Sequence, residues 1–266
     1  MAILSKISCL LFKMAKLSRI NTKPNIALTF MSFTLLIVST NSFANHIPKP
    51  TQQMVPLVQS CQTPGLVALT FDDGPSDNFT RVLSILDSHN VKATFFLVGK
   101  KLEKQNYIEL AQQAITDGHQ IENHSWDHSD FLTLSDAQIT EQVSKTNEIL
   151  WNTLRVIPRF VRPPHGRIDV PEAMPIWNLG YGIALWNLDP RDYKSTLFWG
   201  PQQVFERIED ALEPSSPATD SFVILMHDFS ATSTDKLSDI IILIKQHGYT
   251  LATLDECVIN SEEDSH

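Results

Sequence analysis

From residue 66 onward, short apolar runs alternate with longer segments whose apolar residues recur at helical spacing, and this alternation constrains the fold most strongly. The runs predict strands at 66–71, 93–98, 120–123, 160–162, 182–186, 222–226 and 249–252. The segments between them predict helices at 80–89, 107–117, 135–154, 202–212 and 237–247. Ser135 and Gln138 form a capping box at the start of the third helix. Such alternation predicts an α/β fold of parallel βαβ units, closed into a barrel or wound into an open sheet.

The first 44 residues differ in composition from the rest of the chain. They carry five basic residues and no acidic one, and an apolar stretch at 26–38 precedes the small residues Ser42 and Ala44. This layout is typical of a secretory signal peptide. A membrane anchor is the alternative, but the stretch is shorter than the roughly 20 residues of a spanning helix. We expect cleavage after Ala44, no stable membrane span afterwards, and export to the periplasm or the medium, with Met1 or Met14 as the start.

The remaining chain divides into three parts by composition. Residues 45–64 form an extended lead-in, residues 65–258 a folded domain, and residues 259–266 a disordered acidic tail. Cleavage would remove five of the 21 basic residues and none of the 30 acidic ones, which leaves a net charge of −14. So acidic a protein does not grip nucleic acid non-specifically, and we expect a monomer without a nucleic-acid partner.

Two cysteines, Cys61 and Cys257, remain once the leader with Cys9 is removed. An exported chain with two cysteines permits one disulfide, which would tie the segment before the first core strand to the C-terminal end. Two unrelated buried thiols are the alternative. We expect the Cys61–Cys257 bridge because of the oxidising compartment.

Polar residues recur in one place, directly after the predicted strands. They are Asp72 with Asp73, His124, Arg162, Asp189 and His227. The carboxyl ends of parallel strands converge on one face of a barrel, where active sites are built. The sequence therefore predicts a single polar site at this face.

The segments around Asp72 and His124 carry the ligands for a metal. Two adjacent carboxylates repel each other, and a cation relieves that repulsion while one of them stays free as a base. His124 and His128, four residues apart on a helical turn, can meet one ion together with Asp73. A simple Asp-Gly-Pro turn and an accidental histidine pair are the alternatives for each segment alone.

Two further segments supply charged partners. In Arg162-Pro-Pro-His165-Gly the prolines hold an extended backbone, from which Arg162 can pair with a carboxylate; a surface loop is the alternative. His227 ends a buried strand, where a histidine is more often a satisfied core residue. A nearby carboxylate such as Asp189 would raise its pKa and let it carry a proton near neutrality.

Together these segments resemble the polysaccharide deacetylases of carbohydrate esterase family 4, the NodB-homology domain. The resemblance runs from about residue 66 to residue 252 through T-F-D-D-G-P, H-S-x-x-H, R-P-P-x-G, D-x-x-D-aromatic and L-x-H, in that order. It implies a distorted (β/α) barrel, with about seven parallel strands by the run count above. It also implies that residues 65–258 are a catalytic domain that hydrolyses acetyl groups on a glycan.

The resemblance implies a role for each residue on the metal side. Asp72 is the general base, and Arg162 orients it. Asp73, His124 and His128 hold one divalent ion. We expect Zn²⁺, while Co²⁺, Ni²⁺ or Mn²⁺ suit the same ligands.

Opposite the metal, the resemblance makes His227 the general acid, oriented or tuned by Asp189, with Asp192 bracing the same network. His165 stands where the family usually has Tyr, and its backbone N–H is the expected oxyanion donor. Tyr193 replaces the usual Trp and lines the acetate pocket with Leu225. Both departures put substrate preference and pocket size in question.

The expected function is removal of N-acetyl groups from N-acetylglucosamine-containing poly- or oligosaccharide, whether peptidoglycan, chitin oligomer or exopolysaccharide. An O-acetyl esterase on a xylan-type polymer would use the same site. An amidohydrolase for a cyclic amide and an inactive sugar-binding envelope protein are further alternatives. The secretory leader disfavours the amidohydrolase, and the intact Asp72, Asp73 and His227 disfavour the inactive protein.

Overall fold

The computed structural model describes residues 56–194 and 199–258 of the chain. The described strands are β1 (Leu57–Val58), β2 (Leu66–Gly74), β3 (Thr94–Leu97), β4 (Gln120–Asn123), β5 (Phe160–Val161), β6 (Gly182–Ala184), β7 (Phe222–His227) and β8 (Thr250–Ala252). The described α-helices are α1 (Phe79–Ser88), α2 (Gln105–Thr116), α3 (Asp136–Ile149), α4 (Val170–Asn178), α5 (Pro201–Leu212), α6 (Ala231–Gln246) and α7 (Leu254–Val258). Short 3₁₀ turns lie at Gly99–Glu103, Phe131–Thr133 and Pro164–Gly166.

The strands form one parallel sheet in the order β1-β6-β5-β4-β3-β2-β7, and β8 pairs with the start of β2. The backbone that continues β6 then reaches β7, where Leu188 bridges Ile224 and Asn187 N–H donates to the Val223 carbonyl at 3.2 Å. This irregular contact brings the far edge of β7 beside the extension of β6, as in a distorted barrel. The predicted α/β class with parallel strands is confirmed.

Burial explains why the central strands read as apolar runs. All four residues of β3 are buried, and so is nearly all of β2, since strands covered by helices are buried on both faces. Helix α6 presents a fully buried stripe at the i, i+3, i+4, i+7 positions Leu237, Ile240, Ile241 and Ile244. Helix packing therefore buries the middle of these strands.

Two helices differ from the prediction. Helix α4 was not predicted, because Pro171 and Pro175 interrupt its helical pattern. A proline in the first turn loses no hydrogen bond, however, and Pro175 forgoes only a bond to the Pro171 carbonyl. Helix α3 ends at Ile149 and continues as a π-helical turn to Leu154. At its start the Ser135 N–H donates to Gln138 Oε1 at 2.9 Å, as a capping box requires.

The N-terminal lead-in contributes to the sheet. Strand β1 lies within the predicted 45–64 segment and pairs with β6. Cys61 and Cys257 form a disulfide across 196 residues of sequence, as predicted. No described helix is long and apolar enough to cross a membrane. The predicted signal peptide at 1–44 and the tail at 259–266 lie outside the described residues.

Candidate active site

All the predicted polar residues except Arg162 line one cavity of about 390 Å³ at the carboxyl ends of the strands. Its walls are Asp72, Asp73, His124, His128, His165, Trp186, Asp189, Tyr193, Leu225, His227 and Phe229. Neighbouring parallel strands place the ends of β2 and β7 side by side, so that Asp72 and His227 are register partners. Arg162 lies directly beneath the cavity, fully buried.

Asp73, His124 and His128 offer three ligand atoms that all lie within 4.8 Å of one another. Asp73 Oδ1 stands 3.4 Å from His124 Nε2 and 3.2 Å from His128 Nε2. Tetrahedral ligands about 2.1 Å from a zinc ion are themselves about 3.4 Å apart. Asp73 Oδ1 is buried and accepts no hydrogen bond from the described residues. The donor set therefore fits a divalent cation with an open coordination position.

The segment from His124 to His128 is a loop, so the prediction that both histidines share a helical turn was wrong. Ser125 and His128 both adopt left-handed backbone angles, with φ of 65° and 64°, which bend the chain back on itself. Asn123 Oδ1 accepts from Ser125 N–H at 2.8 Å and ties the bend to the end of β4. Gln142 on α3 accepts from Trp126 N–H at 2.9 Å.

Three residues of the cavity share a left-handed conformation that non-glycine residues rarely adopt. Asp73, His128 and His165 have φ of 66°, 64° and 61°. Such conformations cost of order 1–3 kcal/mol each and cluster where a side chain must be aimed. At Gly166 an added Cβ would overlap the Trp186 ring, so the residue after His165 has to be a glycine.

The electrostatics of the cluster suit metal ligation. Burial opposes ionisation of Asp73, but His124 and His128 hold its pKa below the ordinary range. Burial and the neighbouring His124 lower the pKa of His128 to about 4, so its imidazole is neutral at pH 7. His124 Nδ1 lies 2.8 Å from the Arg162 carbonyl, a partner that leaves Nε2 facing Asp73.

Arg162 makes the contact with Asp72 that the sequence predicted. One guanidinium nitrogen donates to Asp72 Oδ1 and to Thr70 Oγ1, both at 2.7 Å. The others donate to the carbonyls of Ala184 and Leu185. Since every nitrogen is satisfied within the protein, the buried cation is fixed and holds Asp72 in one orientation.

His227 is paired with Asp192. The prediction that Asp189 is its partner was wrong. The Nδ1 atom and the backbone N–H of His227 each lie 2.7 Å from an oxygen of Asp192. Burial opposes protonation of the ring, but Asp192, with Asp72 and Asp73 beyond it, raises the pKa of His227 to about 9. The ring is therefore protonated at neutral pH, with Nε2 left for the cavity.

Asp189 lies at the edge of the cavity because the chain turns back between the two aspartates. Its Oδ1 accepts from Arg191 N–H at 2.7 Å and its Oδ2 from the Tyr193 hydroxyl at 3.4 Å. The Tyr193 ring packs edge-on against His227 with 5.5 Å between centroids. On the opposite wall the His165 ring packs against His128 at 4.7 Å.

Sequence reasoning missed three contributors. Thr70 Oγ1 accepts a hydrogen bond from Arg162 and donates one to the Ile224 carbonyl at 2.7 Å. Trp186 and Phe229 line the cavity, and Phe229 is 43% exposed. The available signal was position, since Phe229 follows a strand-end histidine by two residues.

Comparison with known proteins places this site in a family. The sequence model of the family described as polysaccharide deacetylase matches residues 59–181. The peptidoglycan-N-acetylglucosamine deacetylase PgdA of Listeria monocytogenes is 33% identical over 208 residues, which are 78% of this chain and 42% of PgdA. The chitin deacetylase of Colletotrichum lindemuthianum is 30% identical over 213 residues, 79% of this chain and 85% of the relative. The chain belongs to the polysaccharide deacetylase family.

Solved structures agree with the fold. That of the C. lindemuthianum chitin deacetylase gives a TM-score of 0.74 at 29% identity and covers 79% of this chain and 96% of the other. A family pseudoenzyme from Bacillus anthracis gives 0.67 at 24% identity, over 77% of this chain and 69% of the other. The chain spans about two-fifths of the length of PgdA. Since a pseudoenzyme shares the fold, the fold alone does not establish activity.

Proposed function

We propose that the protein is a metal-dependent hydrolase that removes N-acetyl groups from N-acetylglucosamine-containing poly- or oligosaccharides. The observation that carries the proposal is one cavity that holds a three-ligand cluster, an arginine-bound carboxylate and a carboxylate-bound histidine. These are the parts that amide hydrolysis needs: a cation, a proton acceptor and a proton donor.

Asp73, His124 and His128 would hold the ion, which would act as a Lewis acid on the acetamide carbonyl. We propose zinc, because two imidazoles and one carboxylate with an open position suit a catalytic zinc; cobalt, nickel and manganese suit the same donors.

Asp72 is the proton acceptor in this proposal. Its Oδ1 is occupied by Arg162 at 2.7 Å, so Oδ2 is the atom free to take a proton from the attacking water. Asp72 is 3% exposed, and burial of a carboxylate requires hydrogen-bonded partners, which the Arg162 guanidinium supplies. The water oxygen joins the acetyl carbon as its proton passes to Asp72.

His227 is the proton donor to the leaving nitrogen. The carbon–nitrogen bond then breaks, and acetate and the free amine of the sugar are released. A pKa of about 9 keeps the ring charged at neutral pH, which suits an amine that must be protonated to leave. Asp192 positions the ring by binding Nδ1.

The acetyl group needs a pocket of its own. We assign its walls to Leu225 and Tyr193, and the oxyanion donor to the backbone N–H of His165. The left-handed turn at His165 and the contact of its ring with His128 support this placement beside the ligand cluster. Asp189 contributes indirectly, through its hydrogen bond from Tyr193.

The names of the relatives support the choice of substrate. PgdA is named for peptidoglycan N-acetylglucosamine, and the fungal relative for chitin. Both polymers lie outside the cytoplasm. The Cys61–Cys257 disulfide supports export as well, because such bridges persist in oxidising compartments. We therefore propose that the protein acts in the periplasm or outside the cell.

Acetate release from chitin oligosaccharides, peptidoglycan and acetylxylan tests the proposal. The full chain without its leader is stripped by a chelator, reloaded with zinc and measured against an Asp72→Asn variant. We expect zinc-dependent acetate from at least one N-acetylated glycan and much less from acetylxylan. Absence of acetate from every N-acetylated glycan with zinc bound would refute the deacetylase, and preference for acetylxylan would favour the esterase.

A further inference from the structure

A second cavity of about 580 Å³ adjoins the candidate active site on the side of His128. It shares Asp73, His128 and Phe229 with the first cavity, so a glycan chain can pass from one to the other. The size lies in the range of small-ligand sites, and the junction is marked by the exposed Phe229 ring.

Three lysines from one short segment line this second cavity: Lys100, Lys101 and Lys104, on and just after the 3₁₀ turn at Gly99–Glu103. None of their ammonium groups forms a salt bridge with a described carboxylate. Lys101 Nζ donates to the Pro75 carbonyl at 3.3 Å, and Lys104 lies over the Tyr107 ring. These three neighbouring positive charges contrast with the net charge of the chain, which is −9.

Two further carboxylates line the same cavity. Asp127 is engaged, because its Oδ1 accepts from the Ser129 hydroxyl at 2.6 Å and from Gln142 at 2.9 Å. Glu103 is exposed and makes no salt bridge with a described residue. Asp73, the third, faces the ligand cluster. With Asp73 assigned to the ligand cluster, three lysines face the two carboxylates Asp127 and Glu103, which leaves a surplus of one positive charge along this wall.

Phe229 is held where it can support a sugar ring. Its carbonyl accepts from Asn78 Nδ2 at 3.0 Å, and its ring packs against His227 with 5.2 Å between centroids. The exposed ring face offers apolar area to the C–H face of a sugar, while ammonium groups lie further along the cavity.

We propose that the second cavity is a subsite for a carboxylate-bearing sugar that neighbours the N-acetyl sugar undergoing hydrolysis. This inference rests on the proposed function and narrows its substrate to an acidic glycan. A lactyl ether carboxylate, as in peptidoglycan strands, and a uronic acid carboxylate present the same charge to the lysines.

The test compares an acidic substrate with its own uncharged form. Peptide-free peptidoglycan strands, oligosaccharides of alternating N-acetylglucosamine and glucuronic acid, and the methyl esters of both are assayed for acetate release with zinc-loaded protein. We expect kcat/KM to be higher on the acids than on the esters, with a ratio that falls as salt is added. The substrate family with the larger ratio identifies the source of the carboxylate.

A double variant, Lys100→Gln with Lys104→Gln, should lower the acid-to-ester ratio roughly fivefold, since exposed charge pairs contribute modestly. The control, Lys92→Gln with Lys245→Gln, removes the same charge at the opposite end of the barrel and should keep the wild-type ratio. An equal ratio in wild type and the first double variant would overturn the subsite.

Binding by titration calorimetry separates this inference from the deacetylase proposal. If no glycan releases acetate, tighter binding of acid than of ester that depends on Lys100 and Lys104 still supports the subsite. Equal binding of acid and ester by the wild type would refute it, whether or not acetate is released.

Discussion

The ligand cluster and the His227 pair are built in opposite ways. Asp73 Oδ1 is buried without a hydrogen bond, whereas both oxygens of Asp192 accept hydrogen bonds from His227. In our proposal a metal ion completes the first arrangement, whereas the hydrogen bonds of the second are complete within the chain. Changes at the cluster should therefore abolish loading with metal, and changes at the pair should alter only proton affinity and position.

The largest expected effect comes from the histidines of the cluster. His124→Ala and His128→Ala each leave two of three protein ligands, so we expect bound zinc and acetate release to fall to background. Metal content by mass spectrometry of dialysed protein checks this. His89→Ala, beyond the end of α1 at the other end of the barrel, is the control. Stoichiometric zinc in either cluster variant would show that the ligand assignment is wrong.

Asp72→Asn should have the next largest effect. The amide keeps the shape and can still face Arg162, but it cannot accept a proton, so we expect kcat to fall roughly 10²–10⁴-fold with zinc still bound. Steady-state kinetics and metal content together check this. Loss of zinc along with activity would mean that Asp72 belongs to the ligand cluster, and the contrast between cluster and proton-carrying groups would fail.

The two sites also differ in how far the sequence revealed them. His124 and His128 lie four residues apart and Asp73 lies beside Asp72, and these spacings favour a metal site when the segments are taken together. The sequence did not reveal the loop that joins them, since the left-handed angles at Ser125 and His128 depend on partners in β4 and α3. Spacing therefore predicted three residues that the fold brings together, but it assigned the histidines to the wrong local structure.

The His227 pair, His227 with Asp192, shows more clearly where prediction from the sequence fails. From the sequence we expected Asp189 to be the partner of His227 and Asp192 to brace the network. The course of the chain past Arg191, which has a φ of 58°, places Asp192 against His227 instead. Prediction of the fold was likewise successful in part. Apolar periodicity located most strands and helices, while α4 was missed because its prolines obey positional rules that periodicity does not register.

Asp192→Asn should change the pH profile more than the maximal rate. The carboxylate raises the pKa of His227 to about 9, and a protonated ring is required, so activity falls as pH rises through that value. The amide removes the charge and lowers the pKa, which moves the alkaline limb of kcat/KM to lower pH. Profiles with the same metal in both proteins check this. An unmoved alkaline limb would show that Asp192 does not tune the acid.

Asp189→Asn is the matched substitution with the smallest expected effect. Its carboxylate contacts Arg191 N–H and the Tyr193 hydroxyl, and neither atom belongs to His227. We expect the alkaline limb to stay in place and KM to rise roughly twofold to threefold, because a hydrogen bond at an exposed position contributes about 1 kcal/mol or less. If Asp189→Asn moved the limb as far as Asp192→Asn does, then the charges of both aspartates would raise the pKa of His227. The His227 pair would then be a triad of His227, Asp192 and Asp189.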